Sequence, residues 1–228
     1  MPRPRIPERR DRILDAARDL ALEKGWRATT VADVAAGAGI GKGAVYLEFP
    51  DKPAILGAAL TRSMRGLTAH VHQRVLSAED VIDLPTLYGF AVDALLADPL
   101  MRAFSIGDEA VLGDHVRSVE DDRYSARFQW LLDYIGRLQS AGVLTDEVAR
   151  ETLGRVLSVF TIGLLHAPGT LGPLTDEQLR ETVGLFADLV GRSLATDLPT
   201  DPVAARAAQF DLLATLDTQL DHLQEERS

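Results

Sequence analysis

Apolar residues recur along nearly the whole chain with a spacing close to 3.6, and no convincing run alternates with period two. That pattern confines the chain to an all-α fold, helix packed on helix. Glycine, proline and capping residues divide it. The stripe Ile13, Ala17, Leu20 and Ala21 predicts a helix over roughly residues 7–24, with Pro7 tolerated in the first turn and Gly25 at a left-handed stop. Thr30 with Asp33 three residues later is an N-cap signature for a short helix from Val31 to about Gly37. A tight turn at Ala38-Gly39-Ile40 leads to a second short helix, from about Lys42 to Leu47. Asp51 is a good N-cap for a long helix that begins near Lys52 and runs towards Val75. Further breaks predict helices near 85–97, 100–111, 116–140, 146–166, 175–195 and 202–224, with a turn over Pro168 to Pro173.

The two short helices fit a helix-turn-helix residue by residue. Such a motif needs a small residue where its helices approach, and Ala35 is small; four places later Gly39 tolerates a left-handed turn. Val34, Ala38, Ile40 and Val45 supply buried contacts. The exposed face of the second helix must be small or cationic to enter a major groove, and Lys42, Gly43 and Ala44 meet that demand. An ordinary αα-hairpin in a bundle has the same spacing. Against it stand Tyr46, Lys52 and the arginines of the N-terminal arm, which gather phosphate-binding chemistry around this one hairpin. A seven-residue helix with glycine on both sides is also a poor core element. The glycine-rich string 37–43 is no nucleotide loop: Ala36 stands where a P-loop needs glycine, Gly43 where it needs Ser or Thr, and no strand precedes it.

Charge is divided in the same way. The chain carries a formal charge of −10, which by itself argues against a nucleic-acid binder. Residues 1–66, however, hold twelve basic and eight acidic side chains, a balance of +4, so residues 67–228 hold −14. A sign change of this kind predicts two parts with different partners.

Thr30-Val31-Ala32-Asp33-Val34-Ala35, then Gly39-Ile40-Gly41-Lys42-Gly43-Ala44-Val45-Tyr46, then Phe49-Pro50-Asp51-Lys52 resembles the DNA-binding domain of the TetR family of transcriptional regulators. The match covers about residues 10–60 without a gap; the rest agrees only in length and helical character. The resemblance implies an N-terminal arm and three-helix DNA-binding domain over residues 1–52, followed by a helical effector-binding and dimerisation domain over 53–228. It implies that Thr30 binds a backbone phosphate, that Lys42, Gly43 and Ala44 face the major groove, and that Tyr46 and Lys52 meet phosphates. For Tyr46 a ring packed on the first helix, and for Lys52 a solvated charge near the cap, remain the alternatives. The arm Arg3-Pro4-Arg5, with Arg9 and Arg10, either tracks the backbone or minor groove or is a solubilising tail. Two positions depart from the family pattern. Gly41 replaces the usual Ser or Thr cap, and Glu48 stands where an aromatic residue is frequent, so the family's base contacts do not transfer directly.

In the acidic part, Ala149, Leu153, Val156, Leu157, Phe160 and Leu164 form one apolar stripe and Leu179, Val183, Phe186 and Val190 another, with Thr182, Leu185 and Leu189 beside it. Two such helices would build a four-helix bundle across a two-fold axis, and a helix-turn-helix reading a palindromic double-stranded operator needs two copies. An intramolecular core is the other reading. Tyr88, Phe90, Met101, Phe104, Trp130, Tyr134 and His166 are candidates to line a pocket for an apolar or aromatic effector, or are simply core. The sum is a homodimeric, ligand-responsive regulator, expected to be a repressor, without cofactor or metal. The alternatives are a helical protein-interaction module, or an enzyme using the carboxylates and histidine of Asp108-Glu109, Asp114-His115 and Glu120-Asp121-Asp122. Cysteine is absent, the stretch Val156 to Ala167 is too short to span a bilayer, and the expected location is cytoplasmic.

Overall fold

A computed structural model describes residues 9–78, 82–115, 122–194 and 200–225. Among them the chain forms α1 (Arg9–Lys24), α2 (Val31–Gly37), α3 (Lys42–Val45), α4 (Lys52–Ser77), α5 (Leu84–Ala97), α6 (Pro99–Ile106), α7 (Glu109–Leu112), α8 (Asp122–Ser140), α9 (Arg150–Leu171), α10 (Asp176–Leu194) and α11 (Pro202–Glu225). No strand occurs among the described residues. The chain divides into two compact units: Met1–Met64 with Pro99–Val119 and His222–Ser228, and Arg65–Asp98 with Glu120–Asp221. The division falls inside α4, and the chain enters and leaves each unit more than once.

In the first unit α1 lies against α2, α6 and α7, and α2 against α3. Ile13, Ala17 and Ala21 of α1 are fully buried, as are Val34, Val45 and Leu56. A Cβ on Gly37 would come within 3.1 Å of the Ala16 methyl, so the α1–α2 crossing is set by the absence of a side chain at 37. The turn between these helices is held from two sides. Trp26 N–H donates to the Val111 carbonyl at 2.8 Å, and the Trp26 carbonyl accepts from Lys52 Nζ at 2.6 Å. Gly25 has φ +79°, and a Cβ there would stand 2.3 Å from the Ala110 carbonyl oxygen.

Three sequence expectations differ from the structure. The helix expected over 100–111 is two, because Gly107 turns left-handed at φ 66° and Asp108 Oδ1 then accepts from the Ala110 and Val111 amides to start α7. The second motif helix stops at Val45 rather than Leu47, after a single turn that Gly41 opens without a side-chain cap. Pro168 is not in the turn: α9 runs through it to Leu171 and ends at Gly172, φ 95°. Proline forfeits one backbone bond there without stopping the helix.

In the second unit α5 packs along α10 and α8 along α9. One core gathers Val75, Leu87, Tyr134, Ile135, Leu138, Leu153, Leu157 and Leu213; a smaller one gathers Val92, Leu96, Leu164, Leu179 and Val183. Buried Gln209 of α11 donates to the Ile82 carbonyl, and Arg206 reaches the Ala78 carbonyl at 3.0 Å, so α11 is docked on this unit through polar contacts as well as leucines. Replacing Gly25 by Ala should lower the stability of the first unit by about 2 kcal/mol or more, since it adds both positive-φ strain and a backbone clash. A urea titration followed by Trp26 fluorescence would read this as an earlier unfolding transition.

Candidate functional site

α2 begins with reciprocal capping. The Asp33 amide donates to Thr30 Oγ1 at 3.1 Å, and the Thr30 amide donates to Asp33 Oδ2 at 2.8 Å. The Thr30 hydroxyl donates to the same carboxylate oxygen at 2.9 Å, and Lys24 Nζ, from the last turn of α1, reaches it at 2.9 Å. Lys24 first, and then the Thr30 bonds, hold the Asp33 carboxyl down to about 2. Beyond α2 the Ile40 amide donates to the Ala35 carbonyl at 2.9 Å, closing the turn around Gly39 at φ +65°. A Cβ at 39 would meet the Arg12 guanidinium at 2.7 Å.

α3 is anchored by buried Val45 and, just past it, buried Phe49. Its other face is open. Lys42 and Gly43 are exposed, Ala44 is half-buried, and no atom lies within 4 Å of where a Cβ would stand on Gly41 or Gly43. Tyr46 is 49% exposed, with Lys42 Nζ 5.9 Å from its ring centre. Beside it Leu47 is 76% exposed. The spacing analysis passed over Leu47, although an apolar residue two places from the buried anchor and next to Tyr46 had no inward position left to occupy.

The basic residues expected around α3 divide sharply. Lys42 forms no ion pair among the described residues, whereas several others are engaged within the chain. Lys52 Nζ sits 5.0 Å from the Trp26 ring centre and donates to the Trp26 and Arg27 carbonyls at 2.6 and 3.5 Å; burial pushes its pKa down from the usual lysine value. Its head group thus also braces the α1–α2 turn, while the residue stays half-exposed. Arg62 pairs with Asp15 at 2.6 Å. Arg9 donates through Nε to Glu48 Oε1 at 2.8 Å and also through Nη2, while Arg10 lies 4.5 Å over the Phe49 ring centre. Arg3 and Arg5 lie outside the described residues.

The seven pocket candidates are divided between the two units. Met101 and Phe104 are buried on α6, in the first unit. Tyr88 and Phe90 are half-buried against the main core of the second unit, which contains Tyr134. The Trp130 side chain lies outside the described residues, and His166 is exposed on α9. Tyr88 shares a short hydroxyl–hydroxyl bond with Thr161 and forms an aromatic cluster with Phe160 and Phe186, which stack at 3.6 Å. Burial raises both the Tyr88 and Tyr134 hydroxyls to about 12. An open groove of about 500 Å³ runs between α5 and α10, with Phe90, Thr86, Asp93, Asp188 and Arg192 among its lining.

The apolar stripes assigned to a dimer face turn inward. Leu153 and Leu157, and Leu164, Leu179 and Val183, are core residues of the chain itself, with Phe160, Phe186 and Val190 half-buried at their edges. The same two helices carry a second apolar set that is exposed: Val156, Val159 (69%) and Ile162 on α9, and Leu185 (64%) and Leu189 on α10. Spacing identifies a stripe but not its direction when a helix has two. Of the acidic candidates, Asp108 is occupied in capping α7, and no group of three potential metal ligands converges among the described residues.

Residues 13–59 match the family of bacterial regulatory proteins called tetR. The chain is 40% identical over 63 residues to the HTH-type transcriptional regulator AlkX of Mycobacterium tuberculosis, a stretch covering 28% of this chain and 30% of that protein. It is 31% identical over 126 residues to the HTH-type transcriptional repressor KstR of Mycolicibacterium smegmatis, 52% of this chain and 62% of that one. In both cases the match spans less than two thirds of the relative's length. The fold is that of the transcriptional regulator FadR from Bacillus subtilis, solved in complex with stearoyl-CoA: TM-score 0.62, 14% identity, covering 81% of this chain and 98% of that one.

Two consequences of the capping arrangement are measurable. Thr30→Ala should cost about 1 kcal/mol of stability. Because the Asp33 carboxyl in the folded chain titrates at about 2, below its ordinary value of 3.8, its contribution is complete above that value and is lost as pH falls towards 2. Acid titration followed by circular dichroism should show Asp33→Asn lacking that part of the acid sensitivity.

Proposed function

We propose that this chain, which belongs to the TetR family of bacterial regulatory proteins, is a ligand-responsive repressor that binds a palindromic operator as a homodimer in the cytoplasm. The observation that carries the reading is the uncovered face of α3. Lys42, Gly43 and Tyr46 stand exposed on a one-turn helix whose opposite side is fixed by Val45 and Phe49, where a hairpin inside a bundle would be covered. In this reading Lys42 supplies cationic contact in the major groove, Gly43 and Ala44 allow close approach, and Tyr46 donates its hydroxyl to a phosphate. Leu47 adds an apolar contact of the kind a thymine methyl accepts. Thr30 meets a phosphate by exchanging its hydroxyl bond to Asp33, and the arm with Arg3 and Arg5 reaches the backbone or the adjacent minor groove. Lys52, which braces the α1–α2 turn, meets a phosphate with the N–H not directed at the Trp26 and Arg27 carbonyls.

The dimer is assigned to the exposed residues of α9 and α10, Val156, Val159, Ile162, Leu185 and Leu189, pairing with their copies in a four-helix arrangement. Exposed apolar faces of this size on adjacent helices call for a partner. The effector is assigned to the second unit, around Tyr88, Phe90 and the Phe160–Phe186 stack, where the Tyr88 and Thr161 hydroxyls offer a polar handle in an apolar setting. FadR's stearoyl-CoA is the precedent for a ligand with a long apolar part. Binding would favour the state whose two α3 helices cannot span both half-sites, about 34 Å apart on B-DNA.

The operator is obtained by selecting random duplexes with the purified protein. Lys42→Ala with Tyr46→Ala should weaken its binding by about 3 kcal/mol, on the order of a hundredfold, with helicity and oligomeric mass unchanged; undiminished binding would remove the assignment of α3. Leu185→Glu with Val159→Glu should give a monomer in sedimentation and a matching loss of palindrome affinity. A variant that stays dimeric would move the interface elsewhere.

A further inference from the structure

We infer that Glu48 withholds Arg9 from DNA, so that one of the basic residues nearest the reading helix is held in reserve and affinity is set below what the cations of this domain could give. The inference rests on the proposed DNA-binding role of α3 and deepens it. Glu48 lies three residues past the end of α3, in a turn closed by its own amide donating to the Val45 carbonyl at 3.0 Å. The first turn of α1 is folded onto that turn. Arg9 directs both Nε, at 2.8 Å, and Nη2 at the single oxygen Oε1 of Glu48. Arg10 caps the arrangement from the other side, donating to the Glu48 carbonyl at 3.4 Å and lying over the ring of buried Phe49. The Arg9 and Glu48 side chains are each 21% exposed, so the pair is partly shielded from solvent yet open to an incoming anion.

A phosphate oxygen offers a guanidinium the same acceptor that Glu48 Oε1 does. While the carboxylate is present, Arg9 makes no net gain by exchanging one for the other. An acid at this position thereby becomes intelligible. It does not read bases; it cancels a sequence-independent contact, which lowers binding to random DNA together with binding to the operator. Arg9 is therefore a poor phosphate ligand in this chain as it stands, and Glu48 is the residue that makes it so.

Glu48→Gln keeps the shape and removes the charge. In a fluorescence-anisotropy titration the full-length variant should bind both the selected operator and a scrambled duplex about fivefold more tightly at 50 mM salt, the most that a pair of this exposure can withhold. One recovered phosphate contact should also make the affinity lost between 50 and 200 mM salt about 3.5-fold larger than in the unmodified protein. Glu48→Ala should behave alike, which guards against a misfolded amide variant. Adding Arg9→Ala to Glu48→Gln should abolish the gain and the steeper salt dependence. A gain that survives in the double variant would show that Glu48 acts through its own charge, and weaker binding by Glu48→Gln would show that the pair positions α1 for binding; either overturns the inference. Operator binding by the unmodified protein, and its loss in the Lys42 and Tyr46 double variant, is read in the same titration. Failure there would strike the reading role of α3, whereas failure at Glu48 alone would leave that role intact.

Discussion

The N-terminal unit is organised around the backbone of one residue, Trp26. Its N–H is bound by the Val111 carbonyl of α7 and its C=O by the ammonium of Lys52 at the start of α4, so a single turn ties together segments far apart in the chain. The fit is close: a Cβ at Gly25 would clash with the Ala110 carbonyl, and one at Gly113 would approach the Arg27 backbone at 3.3 Å. A hydrogen bond from a charged donor to a shielded carbonyl is worth about 1.5–3 kcal/mol, more than an exposed ion pair. That difference explains why Lys52 is committed inward. The desolvation that lowers its pKa is offset by a carbonyl and an aromatic face.

The same accounting applies to the charge of the whole unit. The surplus of +4 over residues 1–66 is untouched by the unit's ion pairs, which cancel acids and bases in equal number, but those pairs decide which cations are already engaged. Arg9 is paired with Glu48, Arg62 with Asp15 and Lys24 with Asp33, and Lys52 is turned towards Trp26. What faces outward on α3 is Lys42, with a tyrosine and a leucine beside it. Among the described residues, Arg9, Arg18, Lys24, Arg62 and Lys52 are thus engaged within the unit itself.

The first fifty residues were legible because their signals are local. A capping pair, a left-handed glycine and a buried valine specify α2, the turn and α3 without reference to anything distant, and all three occur where spacing put them. The split between α6 and α7 was written as locally, in Gly107-Asp108, but was obscured by a helical pattern that continued across it. Lys52 and Glu48 were opaque for another reason: their partners, Trp26 and Arg9, are 26 and 39 residues away, and only the folded chain says that a cation near a DNA-binding motif is already occupied. The inward turn of Leu153, Leu157 and Leu179 was hidden by ambiguity of direction. α9 and α10 each carry two apolar sets, and periodicity has no sign.

That second apolar set bears on the scarcity of free charge. If α3 reads DNA, a reader that presents one lysine on its recognition helix draws little cationic affinity from that helix, and a single copy would hold a half-site weakly. Joining two copies through α9 and α10 would turn the second half-site into an intramolecular contact, with an effective concentration in the millimolar range for a well-matched geometry. Discrimination then resides in the spacing of two weak readers rather than in the strength of either. Such a design responds to a ligand through small changes: an effector need not weaken any contact to α3, only misplace one copy relative to the other, because neither half-site is held tightly enough to retain the protein alone.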